Sequence, residues 1–254
     1  MEKNPIEIIL QSFMNSGGIT RMDNAYSVRS LPRLIGMMRL ASPSLPVGAF
    51  SYSQGLETAI EKNIVLDLNT TQQWLESILR NSFSYFELPI IKEMMRAWAN
   101  KDIEKISDLN REYLITRETQ ELRAETRSMG NALVAIAKND LTVEGASIEL
   151  LLKISDICYP TVYACMAHEL KLDVSEALAG YAWSWAENQV MAAIKTIPLG
   201  QTAGQQILSA LSPIMADAVE ISLGVEESDW SNFCPVLAIM SSQHETQYSR
   251  LFRS

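Results

Sequence analysis

Histidine is nearly absent from this chain, occurring only as His168 and His244. A zinc-peptidase helix needs a second histidine four residues on, and Leu172 and Tyr248 stand in those places, so neither histidine belongs to a two-histidine metal helix. Cysteine is equally sparse. Cys158, Cys165 and Cys234 are an odd set, which excludes a disulfide framework and fits a reducing cytoplasm with buried thiols. Cys158 and Cys165 stand one heptad apart with Pro160 between them, a wider spacing than tetrahedral zinc sites use. Positive charge is in the minority, with a net charge of −9, which argues against nucleic acid and anionic membranes as partners. No unbroken apolar run approaches the ~18 residues of a membrane span. The cluster Ile8-Ile9-Leu10, for example, is bounded by Glu7 and Gln11.

Nucleotide and nucleophile motifs are missing as well. The stretch from Gly200 to Gln206 has glycines but not the Lys and Ser/Thr of a phosphate loop, and reads more simply as a helix start. Around Ser53 the flanking positions are Ser51 and Gly55, so the Gly-x-Ser-x-Gly elbow fails. After Gly55 come Leu56 and Glu57, whose carboxylate would repel phosphate.

What the chain does have is 47% apolar residues over 254 positions, ample for one sizeable core without staples. Its most distinctive stretch runs from Leu40 to Glu57. Pro43 and Pro46 fix the backbone there, and Gly48 and Gly55 permit turns closed to other residues. A rigid, bent, largely apolar segment of this kind describes a docking platform.

Elsewhere the spacing of apolar residues is helical. It predicts a short helix over 54–62, a helix capped by Thr70 or Thr71 and interrupted at Pro89, a further one to about Asn100, and helix over 103–139 broken once. Helices over 147–155, 159–170 and 174–196 follow, the last rich in alanine and expected at the centre of the core. Ser212-Pro213 reads as an N-cap that divides a helix over 200–211 from one closed by Gly224, and a last helix spans about 233–242. No alternating stretch is long enough for a half-buried strand. The expected fold is all-α: one compact domain of about ten helices over 37–243, a mobile N-terminal extension over 1–36, and a C-terminal tail over 244–254.

Two charged stretches stand out. Arg117, Glu118, Glu121, Arg123, Glu125 and Arg127 include an opposite-sign pair at i,i+4, Arg117 with Glu121, and like-sign pairs, Glu121 with Glu125 and Arg123 with Arg127. Those like-sign pairs point to partners outside the helix, against the plainer reading of a solvated face. The tail, with Tyr248, Arg250 and Phe252, carries residue types that dominate interface hot spots, although a chain end ordinarily frays.

The stretch S-P-S-L-P-V-G-A-F-S-Y-S-Q-G-L-E from Ser42 resembles the signature of the urease accessory protein UreF family. Three blocks in the same order agree: E-L-R-A-E-T-R-S-M-G from Glu121, P-L-G-Q-T-A-G-Q from Pro198 and H-E-T-Q-Y-S-R-L-F from His244. The resemblance implies a dimeric, non-enzymatic chaperone component that binds UreD (UreH in some systems) through its tail, which orders on binding, and through neighbouring helices. That complex would recruit the GTPase UreG and help insert nickel into apo-urease, with no cofactor or metal held by this chain. It implies partner-binding roles for Phe50, Tyr52, Gln54, Glu121, Arg123, Arg127, Gln201, Gln205, His244, Glu245, Tyr248, Arg250 and Phe252, with Arg250 weighted most. The competing reading is a stand-alone helical enzyme using carboxylates such as Glu121 and Glu125, although neither histidine has Glu three residues before it, as di-metal bundles require.

Overall fold

Two prolines expected to end helices lie within continuous helical rods. The structure, a computed structural model, describes residues 31–254. Helix α3 (Leu68–Ile78) passes without a break into a π-helical stretch (Leu79–Glu87) and then into α4 (Leu88–Ala99). Pro89 sits in the first turn of α4 and cannot donate to Tyr85, four residues back. The Tyr85 carbonyl instead accepts the Ser231 N–H at 3.1 Å, a partner from a distant loop. The widened π turn, with Leu88 N–H bonded to the Phe83 carbonyl, carries the chain past the proline ring.

Helix α10 (Gln201–Gly224) likewise runs through Pro213. Ser212 does not cap; its hydroxyl donates back to the Leu208 carbonyl at 2.9 Å. Pro213 and Ser209, whose carbonyl loses its donor, both lie on the exposed side where water can serve it. Leu208, Leu211, Ile214 and Met215 bury the opposite side and hold the rod together. By length and composition α10 is apolar enough to cross a membrane, although polar residues interrupt its apolar runs. Here it packs as a core helix against α3, the π-helix, α4 and α9 (Val174–Thr196).

The remaining described helices are α1 (Leu31–Leu40), α2 (Leu56–Glu61), α5 (Ile103–Ile115), α6 (Gln120–Ala137), α7 (Gly145–Leu151), α8 (Tyr159–Glu169) and α11 (Pro235–His244). No strand occurs among the described residues, and residues 32–254 form one compact unit, so the fold is all-α. Of the extension expected over 1–36, residues 31–36 are helical and belong to α1; the rest lies outside the described residues. The cap of α3 is Asp67, which accepts the Thr70 N–H at 2.9 Å in a capping box, and not Thr70 or Thr71 as expected.

The alanine-rich α9 does lie at the centre, packed against α2, α4 and α10. Its own cap is a box between Asp173 and Glu176. The core closes over Trp98, whose indole N–H donates to the Thr161 carbonyl at 3.1 Å, and over Tyr163. Cys158 and Cys165 are both buried, and burial pushes the Cys158 thiol up to about 12, leaving it an inert core group.

A buried ion pair sits inside this core. Glu87, at the end of the π-helix, is 4% exposed and accepts hydrogen bonds at 2.7 Å from the hydroxyls of both Tyr113 and Tyr181. Arg117 pairs with it at 3.3 Å and lies over the Tyr113 ring at 4.3 Å. Arg117 therefore does not pair with Glu121. Positions 116–119 leave the helix between α5 and α6, so the i,i+4 geometry is absent, and Arg117 turns inward to the buried Glu87 carboxylate.

Candidate functional site

The segment from Ala49 to Glu57 and the tail from His244 to Ser254 form one structure. Gly48 and Gly55 take φ values of +80° and +82°, as does Gln54 at +51°, so the chain folds into a 3-10 turn (Ala49–Ser51) followed at once by α2. At Gly55 the reason is also space: a Cβ there would stand 2.8 Å from the Ser241 nitrogen, because the α11 backbone crosses directly over it.

This turn presents donors to the tail. The main-chain oxygen of Ser254 accepts three hydrogen bonds: from Ser53 N–H at 2.7 Å, Gln54 N–H at 3.0 Å and the Ser53 hydroxyl at 2.6 Å. Arg253 N–H donates to the Ser51 carbonyl at 2.8 Å. Glu57, in the first turn of α2, accepts from Leu251 N–H at 2.6 Å and Phe252 N–H at 2.9 Å. The tail expected to fray is thus clasped to its own chain, with Phe252 6% exposed and Ser254 fully buried.

Glu57 also faces Nε2 of His244 at 3.2 Å, while Nδ1 of the same ring faces Glu121 at 2.6 Å. His244 is fully buried between the two carboxylates. Arg250 completes the group by pairing with the other oxygen of Glu121. Two carboxylates, an imidazole and a guanidinium therefore meet beneath the tail.

A second, deeper layer lies under Ser254. Glu125 is 5% exposed; its Oε2 accepts the Ser254 hydroxyl at 2.7 Å and its Oε1 accepts the Gln54 side-chain N–H at 2.7 Å. Gln54 in turn accepts the Trp185 indole N–H at 2.8 Å. A cavity of about 50 Å³, lined by Gln54, Glu125, Tyr159, Tyr181, Trp185 and Gln189, adjoins the carboxyl. Burial pushes Glu125 up to about 7, with the hydrogen bonds from Ser254 and Gln54 pulling the other way.

The residues singled out from sequence differ in where the structure puts them. Tyr52, His244 and Phe252 are buried, and in this conformation they shape the clasp from within. Gln54, Glu121 and Glu245 are spent on internal hydrogen bonds; Glu245 accepts the N–H groups of Gln120 and Glu121 and so caps α6. Phe50, Tyr248 and Arg250 reach solvent beside the clasp. Within this chain Arg123 donates to the Arg117 carbonyl at 2.6 Å and Arg127 pairs with Asp156 at 3.2 Å, while the buried Arg127 Nε makes no hydrogen bond. Gln201 and Gln205 are exposed on α10 and take part in none of the clasp's hydrogen bonds.

Sequence reasoning missed Glu57, Ser53 and Lys195. The Lys195 ammonium lies 5.8 Å from the Phe50 ring and 5.9 Å from the Phe252 ring, tying the platform to the tail from the end of α9. Glu57 carried a signal, being an acidic residue in the first turn of the helix that closes the signature. Lys195 carried none, since its partners are distant in sequence. Among the described residues no three His, Cys, Asp or Glu side chains are arranged to hold a metal ion.

Comparison with known proteins places this architecture. The UreF family model matches residues 65–212, from just before α3 into α10. The urease accessory protein UreF of Azoarcus sp. (strain BH72) is 43% identical over 223 residues, covering 87% of this chain and 95% of that relative. The chain belongs to the UreF family. Proteins of the same name from Dechloromonas aromatica (strain RCB) and Methylobacillus flagellatus are 40% and 42% identical, each over 87% of this chain and over 98% and 97% of their own lengths. The UreF family model thus spans the central helices, and the clasp, built from residues 49–57 and 244–254, lies outside it on either side.

Proposed function

We propose that this UreF-family chain is a recognition component of urease maturation: it binds UreD/UreH, and the pair recruits the GTPase UreG and steers nickel insertion into apo-urease. In this reading it works in the cytoplasm as a homodimer within a UreD–UreF–UreG assembly, and catalysis and nickel ligation belong to its partners. The observation that carries the reading is the clasp. It fixes a tail that would otherwise be mobile, so that Phe50, Lys195, Tyr248 and Arg250 stand at the surface beside it in set positions. Aromatic and arginine side chains held in this way suit interface anchoring. An ordered Arg250 needs no disorder-to-order transition on binding, which lowers the entropic cost of association.

Arg250 has two conceivable roles toward the GTPase: anchor or arginine finger. Its pairing with Glu121 favours the anchor, because a finger must leave its partner and enter the nucleotide site. Arg250→Ala is therefore expected to reduce UreG capture by the UreD-bound complex by about tenfold or more. Single-turnover GTP hydrolysis in the complexes that do form should stay unchanged. A loss of roughly 10³-fold or more in hydrolysis with assembly intact would instead establish a finger.

A further inference from the structure

Gln54 keeps a left-handed backbone at φ +51°, which costs a residue with a side chain and persists only where its surroundings hold it. Three elements do so. Its main-chain N–H donates to the Ser254 oxygen at 3.0 Å, its side-chain N–H donates to Oε1 of Glu125 on α6 at 2.7 Å, and its side-chain oxygen accepts the Trp185 indole N–H from α9 at 2.8 Å. The last of these sets the other side-chain bond. An indole nitrogen can only donate, so Trp185 requires the amide oxygen of Gln54 on the α9 side and thereby turns the NH2 toward Glu125. Flipped over, the amide would set N–H against N–H at Trp185 and lose its donor to Glu125. With Oε1 engaged by Gln54, the Glu125 carboxyl presents Oε2 to the Ser254 hydroxyl at 2.7 Å. Trp185 is itself fixed by packing on Phe83 of the π-helix, with ring centroids 4.5 Å apart.

We propose that Trp185 is a positioning residue for the partner-binding tail, acting through the Gln54 amide on the seat that Gln54 and Glu125 form for Ser254. Its single N–H is committed to Gln54, so no hydrogen bond runs from Trp185 to the tail itself. Gln54, expected from sequence to touch a partner, serves recognition from inside. It fixes Ser254 directly through its main chain and, by way of Glu125, through its side chain. The central helix then holds the clasp at two places, because Lys195, about 15 Å further along α9, stands by the Phe50 and Phe252 rings. Substitution at either Gln54 or Trp185 loosens the same seat, and the second substitution has little left to remove.

That a well-seated tail aids UreD binding rests on the proposed function; the seating itself is read in the isolated chain. Hydrogen exchange at the Arg253 amide, which donates to the Ser51 carbonyl, should speed up about threefold or more in Trp185→Phe and in Gln54→Met. On the Gln54→Met background, Trp185→Phe should add less than about twofold. Protection kept within about twofold in Trp185→Phe overturns the proposal. So does a loss of the same size on both backgrounds, which would mark an effect of ring packing alone. A measurement on the unaltered indole covers the case in which Trp185→Phe does not fold. The Trp185 Nε1–H NMR signal should move upfield and exchange faster in Gln54→Met, and an unchanged signal overturns the proposal as well. UreD capture by the single variants tests the reading of the tail separately: faster exchange with undiminished capture counts against the proposed function and leaves the positioning role intact.

Discussion

Replacing Glu87 with alanine is expected to destabilise the fold by roughly 3–5 kcal/mol, the range for removing one partner of a buried ion pair. The cost arises from what is left behind. Arg117 would keep its charge with the Tyr113 and Phe86 rings beside it and no carboxylate paired to it, and the hydroxyls of Tyr113 and Tyr181 would lose their common acceptor deep in the core. At about 2–4 °C per kcal/mol for a domain of this size, the thermal midpoint should drop by roughly 10 °C. Glu87→Gln, which retains an acceptor oxygen, should lose less. Circular dichroism melts of the three proteins check the order, and a drop under about 2 °C for Glu87→Ala would mean that Arg117 finds another partner.

Glu57→Ala should have the larger effect on the tail and little on the core. One carboxylate accepts the N–H groups of Leu251 and Phe252 and faces His244, so its removal strips three contacts from the clasp at once. Hydrogen bonds to a charged group are worth about 1.5–3 kcal/mol each, without full additivity. Loss of roughly 3 kcal/mol corresponds to about a hundredfold faster exchange at the Arg253 amide through local opening. Far-ultraviolet dichroism should hardly change, because α2 keeps its apolar face, with Leu56 and Ala59 buried. A tail that stays protected in Glu57→Ala would show that the Ser254 contacts suffice alone.

Much of the helical order was legible in the sequence because each helix carries its own apolar stripe. The break between α5 and α6 and the central place of the alanine-rich α9 follow from that local pattern. The prolines were misread for a definite reason. Whether a carbonyl orphaned by proline is tolerated depends on what reaches it, the Ser231 N–H at Tyr85 and the exposed side of the helix at Ser209, and neither is local information. The internal partners of the charged run over 117–127 were hidden in the same way, since Glu87, Asp156, His244 and Arg250 come from other elements. At the candidate site the residue types were visible and their pairing was not. Phe252 and His244 read as partner-binding groups; in this conformation both are enclosed, and Phe50, Lys195, Tyr248 and Arg250 form the surface beside them.

The account depends on a clasped tail acting as the recognition element, and co-purification with UreD tests this most directly. The full chain and a version ending at residue 247, which keeps α11 and His244, would be compared for capture of UreD and then of UreG. Loss of capture by the shortened chain, with its helical content intact, is the expected result. Undiminished capture of both partners by the shortened chain would contradict it.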